Sequence, residues 1–182
     1  GIRFISDEIY HGITYERPAE TALRYGDDVV VINSFSKYFC MTGWRLGWMV
    51  VPEDLARPVE RLAQNLFISP PGLSQHAALH GFDCGEELDA NVARYARNRA
   101  RLLAALPAVG FGDLAPADGA FYLFADVSGL TNDSAEFCRR MLDEAGVAAT
   151  PGIDFAAERG HRYLRFCFAG TTEDVDEAVR RL

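Results

Sequence analysis

A single lysine is the residue of this sequence best suited to covalent chemistry. The chain has 18 basic residues, and all of them are arginine except Lys37. Arginine stays protonated at any working pH, whereas a lysine that is shielded from water can lose its proton and act as a nucleophile. Lys37 also closely follows an apolar, β-branched run at positions 29–32. Taken alone, an ordinary surface lysine is the better interpretation, so the surrounding residues must decide.

Polar side chains follow the ends of two predicted strands, at positions 2–6 and 29–33. They are Asp7 and Tyr10 after the first strand, and Ser34 and Lys37 after the second. Ligands of open α/β sheets bind outside the carboxyl ends of the strands, so these four side chains can face one crevice. Arg45 comes eight residues after Lys37, beyond a Thr-Gly turn. An amine, a carboxylate, a phenol and an arginine suited to phosphate together predict a site for pyridoxal 5′-phosphate (PLP), whose electron-sink chemistry needs each of them.

The elements that must hold these residues begin with strands. The run at 29–33 is continuously β-branched up to its last residue, which is typical of a strand buried on both faces of an α/β sheet. A third strand is predicted at 46–51, where Pro52 ends it. Apolar residues at helical spacing then predict a helix from Leu55, and a short helix follows at 73–80.

A second group of elements follows a long, arginine-rich helix that Pro107 ends. The apolar face of this helix is formed by Leu88, Val92, Tyr95, Leu102, Leu103 and Leu106. Beyond it, the pattern predicts strand, helix, strand, strand and helix. The first of these strands is at 120–127, the helix at 134–145 and the last strand at 163–168, and a capping box at Thr171 opens the final helix.

The bulk composition limits the kinds of partner. With 182 residues, 49% of them hydrophobic, the chain can form one large domain or two small ones with a real core. The formal net charge of −8 argues against a nucleic-acid surface, which needs a basic face. No apolar run approaches the roughly 20 residues of a membrane span, and no signal peptide opens the sequence. We therefore expect neither nucleic acid nor a membrane as a partner.

The cysteines and the first residues give two further expectations. The four cysteines are far apart in sequence, and none has the spacing of a metal ligand. Buried, reduced thiols in a cytoplasmic protein are the simplest interpretation. Because the sequence starts inside a predicted strand, we expect a fragment that lacks its amino-terminal half.

Five ordered motifs give the chain a family resemblance. They are Asp-Glu-Ile-Tyr at 7–10, Ser-Phe-Ser-Lys at 34–37 with Gly-Trp-Arg-Leu-Gly at 43–47, Gly-Ala-Phe-Tyr at 119–122, Pro-Gly-x-x-Phe at 151–155 and Tyr-Leu-Arg-Phe at 163–166. The second motif resembles the PLP-lysine signature of the class I/II aminotransferases of fold type I. The others resemble landmarks of that family in the same order, so the chain is similar to its carboxyl-terminal portion.

The resemblance implies a fold class, a domain arrangement and an activity. The fold would be α/β: the carboxyl-terminal part of a fold type I large domain, with a mixed, mostly parallel sheet, followed by an α+β small domain. With a boundary near Gly85, residues 1–85 would belong to the PLP-binding large domain, and residues 86–182 would form the linking helix and the small domain. The activity would be transfer of an α-amino group between an amino acid and a 2-oxo acid through a PLP–lysine aldimine.

The resemblance also assigns roles around the ring of PLP. Lys37 would bind PLP covalently and then act as the catalytic acid and base that moves the substrate α-proton. Asp7, as a buried carboxylate, would keep the pyridine nitrogen protonated. Tyr10 would hydrogen-bond the phenolic oxygen and so stabilise its anion.

Phosphate and substrate binding are assigned in the same way. Ser34 and Arg45 would bind the phosphate, Arg45 through its fork of donors, and Ser36 is a weaker candidate. Alternation along the strand 163–168 places Arg165 on the face opposite the apolar residues. By resemblance, Arg165 is the clamp for the substrate α-carboxylate, a role that suits a bidentate guanidinium.

Two alternative functions stay open. The same residues would serve a PLP-dependent β-lyase, because the bond that aligns with the π-system decides the reaction. An aminotransferase-like effector module of a transcription regulator is the other alternative. For the full-length protein we expect a homodimer with amino acid and 2-oxo acid substrates and no metal. Because the family's amino-terminal half also contributes to the PLP site, we predict that this chain is inactive by itself.

Overall fold

The chain divides into two structural units, and the division falls within the longest helix described. The computed structural model describes residues 2–182. The first unit is Gly1–Val92 and the second is Ala93–Leu182, so the helix Gly85–Ala105 contributes to both. The domain boundary predicted near Gly85 lies at the start of this helix. The assignment of the two parts as a cofactor domain and a small domain stays a prediction.

The first unit contains a three-stranded mixed sheet, in which all three predicted strands are present. Its strands are Ile5–Asp7 (β1), Val30–Ser34 (β2) and Gly47–Val50 (β3), in the order β1-β2-β3. β1 is parallel to β2, with Asp7 opposite Ile32, and β2 is antiparallel to β3, with Ser34 opposite Gly47. β1 and β2 therefore end at the same edge of the sheet, where the predicted site residues follow them.

The prediction that β2 is buried on both faces is wrong. Ala22 packs with Val31, which is 3% exposed, on one side of the strand. Val30 and Ile32 point to the other side and are only half-buried. Ile32 lines an open pocket together with Val59 and Ala63 of the helix that follows the sheet, so this side is not closely packed. β3 is exposed along its whole length. The central strand of the first sheet is therefore closely packed on one side and only half-buried on the other.

Two helices follow the sheet in the first unit, as predicted. They are Glu53–Leu66 (α1) and Gly72–Gly81 (α2). None of the residues of α1 is buried, and Leu62 and Leu66 on its apolar face are 61% and 76% exposed. Pro58 lies inside α1, where its missing N–H leaves the carbonyl of Asp54 without the usual helical bond. The first unit thus presents apolar surface on a helix as well as on its sheet.

The second unit pairs a three-stranded antiparallel sheet with three helices. The strands are Tyr122–Asp126 (β4), Thr150–Pro151 (β5) and Tyr163–Cys167 (β6), in the order β4-β6-β5. The helices are the second part of Gly85–Ala105 (α3), Ser134–Arg140 (α4) and Thr172–Arg181 (α5). The predicted order of strand, helix, strand, strand and helix is confirmed.

One face of the second sheet forms an apolar core. In and directly after β6, Leu164 and Phe168 are fully buried and Phe166 is 4% exposed. In β4, Leu123 and Ala125 are also fully buried. This confirms the alternation predicted for β6, which turns every second side chain towards the core.

Side chains satisfy the helix ends of the second unit. Thr171 Oγ1 accepts the N–H of Asp174 at 3.1 Å, as the capping box predicts, and Asp133 caps α4. α4 continues as a π-helical stretch, Met141–Ala145, which ends at Gly146 in a left-handed conformation (φ 67°). The helix predicted to stop at this glycine is therefore confirmed.

The expectation of buried thiols is wrong for three of the four cysteines. Cys138 is buried, and desolvation raises the pKa of its thiol to about 11. Cys40, Cys84 and Cys167 are exposed, and all four cysteines are free. Cys40 lies in a loop and Cys84 directly before a helix, while the alternation of β6 turns Cys167 away from the core.

Candidate active site

The loop after β2 is a compact turn that carries Lys37. Ser34 Oγ accepts the N–H of Ser36 at 3.0 Å, and Thr42 Oγ1 donates to the carbonyl of Ser36 at 2.7 Å. The N–H of Cys40 donates to the carbonyl of Lys37 at 3.1 Å. These bonds close the loop on itself and hold the main chain of Lys37 between its two ends.

Aromatic packing also holds the Lys37 loop in place. The ring centroid of Phe35 lies 4.8 Å from that of Phe39, 5.0 Å from that of Trp48 and 5.6 Å from that of Phe82. Phe35 itself is only 7% exposed. The loop is therefore packed against β3 and against the residue that follows α2, which restricts its movement.

Lys37 and Tyr10 lie together at the edge where β1 and β2 end. The Nζ of Lys37 lies 5.4 Å from the centroid of the Tyr10 ring, and both side chains are half-buried. Tyr10 belongs to the turn after β1, in which the N–H of Ile13 donates to the carbonyl of Tyr10 at 3.0 Å. The parallel pairing of β1 and β2 is what brings the amine and the phenol, 27 residues apart in sequence, to one place.

Asp7 is the last residue of β1 and lies at the same sheet edge. Its Oδ1 accepts the N–H of Ile9 at 3.3 Å. The side chain of Asp7 is exposed, so the expectation of a buried carboxylate is wrong for the described residues. The physical reason is that β1 is an outer strand of the sheet, as the 60% exposure of Ile5 also shows.

The three predicted phosphate ligands differ in the donors that they have available. Ser34 Oγ donates to the carbonyl of Leu46 at 3.2 Å. Arg45 has a left-handed main chain (φ 52°), and its Nη1 donates to the carbonyl of Thr42 at 2.8 Å. Within the described part of the chain, the Ser36 hydroxyl and the other guanidinium N–H groups of Arg45 have no hydrogen-bond partner. Ser36 and Arg45 therefore carry donors that suit an anion.

Tyr38 is a residue beside Lys37 that the sequence did not single out. Its Oη donates to Asp89 Oδ1 at 2.7 Å. This hydrogen bond, together with desolvation, raises the pKa of Tyr38 to about 12, so the phenol stays neutral. No local pattern reveals this contact, because the acceptor comes 51 residues later in the chain, on α3.

Glu8 is a buried carboxylate next to Asp7, and it too was not identified from the sequence. It is 4% exposed and accepts hydrogen bonds from the N–H of Ala22 at 2.8 Å and the hydroxyl of Thr21 at 3.2 Å. Desolvation alone would raise the pKa of Glu8, but these hydrogen bonds outweigh it and hold the pKa below its ordinary value of 4.5. Glu8 therefore fastens the segment at Thr21 and Ala22 to the turn that follows β1.

In the second unit, Arg165 lies between two aromatic rings. Its Cζ is 4.1 Å from the centroid of the Tyr122 ring and 4.3 Å from that of the Phe155 ring. The side chain is half-buried, and its Nε is buried without a hydrogen-bond partner among the described residues. None of the acidic side chains described pairs with this guanidinium. A shielded cation that the protein leaves unneutralised suits an anionic ligand.

Two kinds of feature are absent from residues 2–182. In this range, no three His, Cys, Asp or Glu side chains are grouped so that they could hold a metal ion. The helices of the same range all fall short of the length and apolar character that a membrane crossing requires.

Comparison with known proteins supports the resemblance read from the motifs. A family model described as aminotransferase class I and II matches residues 1–182. Valine–pyruvate aminotransferase of Mycobacterium tuberculosis is 49% identical over 185 residues, an alignment that covers 100% of this chain and 48% of that protein. (5-Formylfuran-3-yl)methyl phosphate transaminase of Methanocaldococcus jannaschii is 36% identical over 183 residues, covering 98% and 48%. The chain spans about half the length of the curated relatives that it matches.

Solved structures agree with this match. The crystal structure of an aminotransferase from Mycobacterium tuberculosis superposes with a TM-score of 0.95 and 49% identity, over 99% of this chain and 48% of that chain. A mutant of Thermus thermophilus aspartate aminotransferase superposes with a TM-score of 0.86 and 32% identity, over 97% and 49%. The predicted fold class, that of a fold type I aminotransferase, is confirmed for this part of the fold. Since the family model covers the whole sequence, the chain belongs to the class I and II aminotransferases.

Proposed function

We propose that this chain carries the cofactor-attachment site of a PLP-dependent aminotransferase. One observation carries the proposal: the sole lysine of the chain lies half-buried against Tyr10, at the edge where β1 and β2 end. The family works in general with PLP, and the aldehyde of PLP reacts with a lysine amine. Residues 1–85 would belong to the PLP-binding domain, and residues 86–182 would form the linking helix and the small domain.

The side chains at the sheet edge fit the ring of PLP. Lys37 offers an amine for the aldehyde, and Tyr10 offers a phenol for the ring oxygen. Asp7 offers a carboxylate for the pyridine nitrogen, and its exposure in this chain leaves it open to that partner. An anionic carboxylate beside the nitrogen favours the protonated, more electron-withdrawing ring.

The phosphate of PLP has matching donors in the loop after β2. Arg45 retains guanidinium N–H groups that no described residue uses, and Ser36 retains its hydroxyl proton. Ser34 would have to exchange its bond to the carbonyl of Leu46 for one to the phosphate. This difference favours Arg45 and Ser36 as the phosphate ligands with the smallest rearrangement, with Ser34 as the third.

Lys37 would carry out the proton transfer at the substrate. When bound, PLP supplies an electron sink that stabilises negative charge at the α-carbon of an amino acid. The neutral amine of Lys37 would accept the α-proton, and its ammonium form would return the proton to a neighbouring carbon. The ring of Tyr10 attracts the ammonium form and so keeps the proton carrier at the site after the transfer.

Arg165 would bind the carboxylate that both substrates share. An amino acid and a 2-oxo acid each carry an α-carboxylate, so one guanidinium can serve both half-reactions. The rings of Tyr122 and Phe155 on either side of Arg165 hold the guanidinium plane in place before a ligand arrives. Because this clamp reads only the carboxylate, it leaves the choice of side chain to other residues.

The properties of the whole protein form part of the same proposal. We infer amino acid and 2-oxo acid substrates, because the relatives are named aminotransferases. A homodimer is inferred from the family resemblance of the motifs. We infer a cytoplasmic location, because all four cysteines are free and a reducing compartment keeps thiols in that state.

Covalent trapping tests the proposed role of Lys37 directly, because the polypeptide has one lysine. The chain is incubated with PLP, reduced with borohydride and digested, and the labelled peptides are identified by mass spectrometry. We expect a pyridoxyl group on Lys37 in clear excess over the α-amino group, which is the other primary amine of the polypeptide. Lys37→Arg should abolish the internal label. Labelling of the two amines in equal amounts in the folded parent chain would contradict the proposal.

Product analysis tests the reaction class. Valine and pyruvate come first in the substrate panel, because a relative that is 49% identical is a valine–pyruvate aminotransferase. With the full-length protein, amino transfer gives a 2-oxo acid without ammonia, whereas a β-lyase releases ammonia. We predict no turnover from residues 1–182 alone, and a transaminase rate from that polypeptide by itself would show this to be wrong.

A further inference from the structure

Tyr38 is held at both ends of its side chain. Its Oη donates to Asp89 on α3 at 2.7 Å, and its ring lies against Gly12, where a Cβ would come within 2.7 Å of Cδ2. Gly12 has a φ of +90°, so both the space and the main-chain geometry at this position depend on glycine. The ring therefore connects the Lys37 loop, the turn after β1 and the first part of α3.

A second contact from α3 reaches the same loop. Asn91 Nδ2 lies 3.6 Å from the Sγ of Cys40, within hydrogen-bonding distance for sulfur. Cys40 has a left-handed main chain (φ 55°), and its N–H donates to the carbonyl of Lys37 at 3.1 Å. The main chain on the carboxyl side of Lys37 is thus held by two residues of one helix, Asp89 through Tyr38 and Asn91 through Cys40.

We propose that Tyr38 is a positioning residue for Lys37, an inference that rests on the proposed role of Lys37 as the amine that traps a carbonyl group. A lysine side chain has four rotatable bonds, so the volume that its Nζ samples depends first on how firmly its Cα is held. Tyr38 ties the adjacent Cα to the turn that carries Tyr10. It thereby keeps the amine of Lys37 beside the phenol, where a carbonyl compound would be attacked.

The chain contains a matched tyrosine that cannot have this role. Tyr25 Oη also donates to a carboxylate at 2.7 Å, but the acceptor is Glu20, five residues away, and Tyr25 is 76% exposed. Loss of that hydrogen bond alters a local turn only. Tyr25→Phe is therefore the control for Tyr38→Phe, because the chemical change and the length of the lost bond are the same.

Two labelling rates at Lys37 separate positioning from exposure. The first is the rate of pyridoxyl labelling at low PLP concentration with cyanoborohydride, which reduces the imine formed with the amine much faster than free PLP; this rate depends on where the amine lies. The second is the rate of acetylation by acetic anhydride, which needs only an accessible neutral amine. We expect Tyr38→Phe to slow the first rate about fivefold, equivalent to about 1 kcal/mol at 25 °C, and to change the second by less than about twofold.

Variants of Asp89 provide an independent measure of the same contact. Asp89→Ala should slow pyridoxyl labelling as Tyr38→Phe does, whereas Asp89→Asn keeps an acceptor oxygen and should retain the parent rate. Circular dichroism and urea unfolding establish that each variant is folded. Should Tyr38→Phe fail to fold, the two Asp89 variants decide the question.

The outcomes distinguish this inference from the function on which it rests. Slower pyridoxyl labelling with unchanged acetylation in Tyr38→Phe, and neither change in Tyr25→Phe, supports positioning. Equal pyridoxyl rates in the two tyrosine variants, or a parallel fall of both rates in Tyr38→Phe, overturns it and leaves the proposed function standing. A parent chain in which PLP shows no preference for Lys37 overturns the proposed function, and the positioning role with it.

Discussion

The two structural units differ in how much of their apolar surface they bury. In the second unit Leu164 and Phe168 are fully buried, and most of the buried apolar side chains of the chain belong to this unit. In the first unit none of the residues of α1 is buried, and β3 is exposed along its whole length. The second unit therefore completes its own core, whereas the first has apolar faces that no described residue covers.

The first unit instead concentrates specific polar and aromatic contacts around Lys37. Glu8 fastens the segment at Thr21 and Ala22 to the turn after β1. Tyr38 ties the Lys37 loop to α3, and Phe35 packs that loop against β3. The hydrogen bonds of Glu8 and Tyr38 contribute little apolar burial but fix positions closely. We therefore expect substitutions in the apolar core of the second unit to act mainly on stability, and those around Lys37 to act mainly on the site.

The strongest test of this contrast removes a large side chain from each unit. Phe168→Ala, at a fully buried position, should lower the free energy of unfolding by about 3–5 kcal/mol, through lost burial and a residual cavity. Leu62→Ala, at a position 61% exposed in α1, should change it by less than about 0.5 kcal/mol. Urea unfolding measures both free energies, and equal losses would mean that the two units do not differ in how they are stabilised.

Close packing of main chain in the second unit gives the next largest effect. Gly160→Ala would place a Cβ 2.3 Å from the carbonyl oxygen of Gly152, a contact that requires the backbone to move. We expect a loss of about 3 kcal/mol, the upper part of the range for overpacking. Gly129→Ala is the control, because that position has no neighbour within 4 Å. A thermal melt in which the two variants match would show that this contact is easily relieved.

A polar contact of the first unit should have a smaller, pH-dependent effect. The pKa of Glu8 is lowered in the folded chain, so its contribution to stability is present above the unfolded pKa of about 4.5 and is lost as the pH falls through the folded value. Glu8→Gln should therefore cost about 1–2 kcal/mol at pH 7 and progressively less below about pH 4.5.

Urea unfolding of parent and variant at pH 7 and at pH 3 measures this difference. Glu158→Gln, at an exposed position, serves as the control and should show no such trend. A penalty for Glu8→Gln that stays the same at both pH values would mean that the charge of Glu8 does not matter to the fold.

Helix capping should contribute about 1 kcal/mol to the stability of the second unit. The side chain of Thr171 caps α5, whereas α1 and α2 begin after prolines that provide no side-chain cap. Thr171→Ala should lower the free energy of unfolding by about 1 kcal/mol. Thr171→Ser keeps the hydroxyl and should therefore retain most of the stability of the parent chain. If Thr171→Ala and Thr171→Ser have the same free energy of unfolding, the hydroxyl cap does not contribute to stability.

The smallest effect on stability is expected on the uncovered face of α1. Leu66 is 76% exposed, so Leu66→Glu should change the free energy of unfolding by less than about 0.5 kcal/mol. The same change should reduce self-association, because it places a charge within an exposed apolar face. Light scattering over a concentration series measures this, with Glu60→Gln, on an exposed and already polar position, as the control.

The sequence predicted most of the elements, because their signals are local. The alternation around Leu164 and Phe166, the cap at Thr171 and the stop at Gly146 each depend on neighbouring residues, and each is found. Burial was predicted less well, because it depends on what covers an element. The β-branched run of β2 predicts a strand buried on both faces, yet only one of its sides is closely packed in this chain.

Contacts at the site could be predicted where motifs follow neighbouring strands. Contacts that depend on the tertiary fold could not be predicted. Lys37 and Tyr10 follow parallel neighbours, so their proximity follows from strand order. The bond of Tyr38 to Asp89 joins residues 51 apart, and the burial of Glu8 depends on a loop that folds back over it. Neither contact leaves a periodic or compositional trace in the sequence.

The strand order of the first sheet has a consequence for how this polypeptide behaves in concentrated solution. β1 and β3 are its outer strands, and each presents along one side a row of main-chain groups that no described strand pairs. Such rows act as templates: an incoming segment can add alongside β1 or β3 and satisfy both sets of groups at once. Without such a segment, water must solvate these main-chain groups. At high concentration, strands of other copies of the chain can pair with β1 or β3, and repeated pairing of this kind would produce fibrous aggregates.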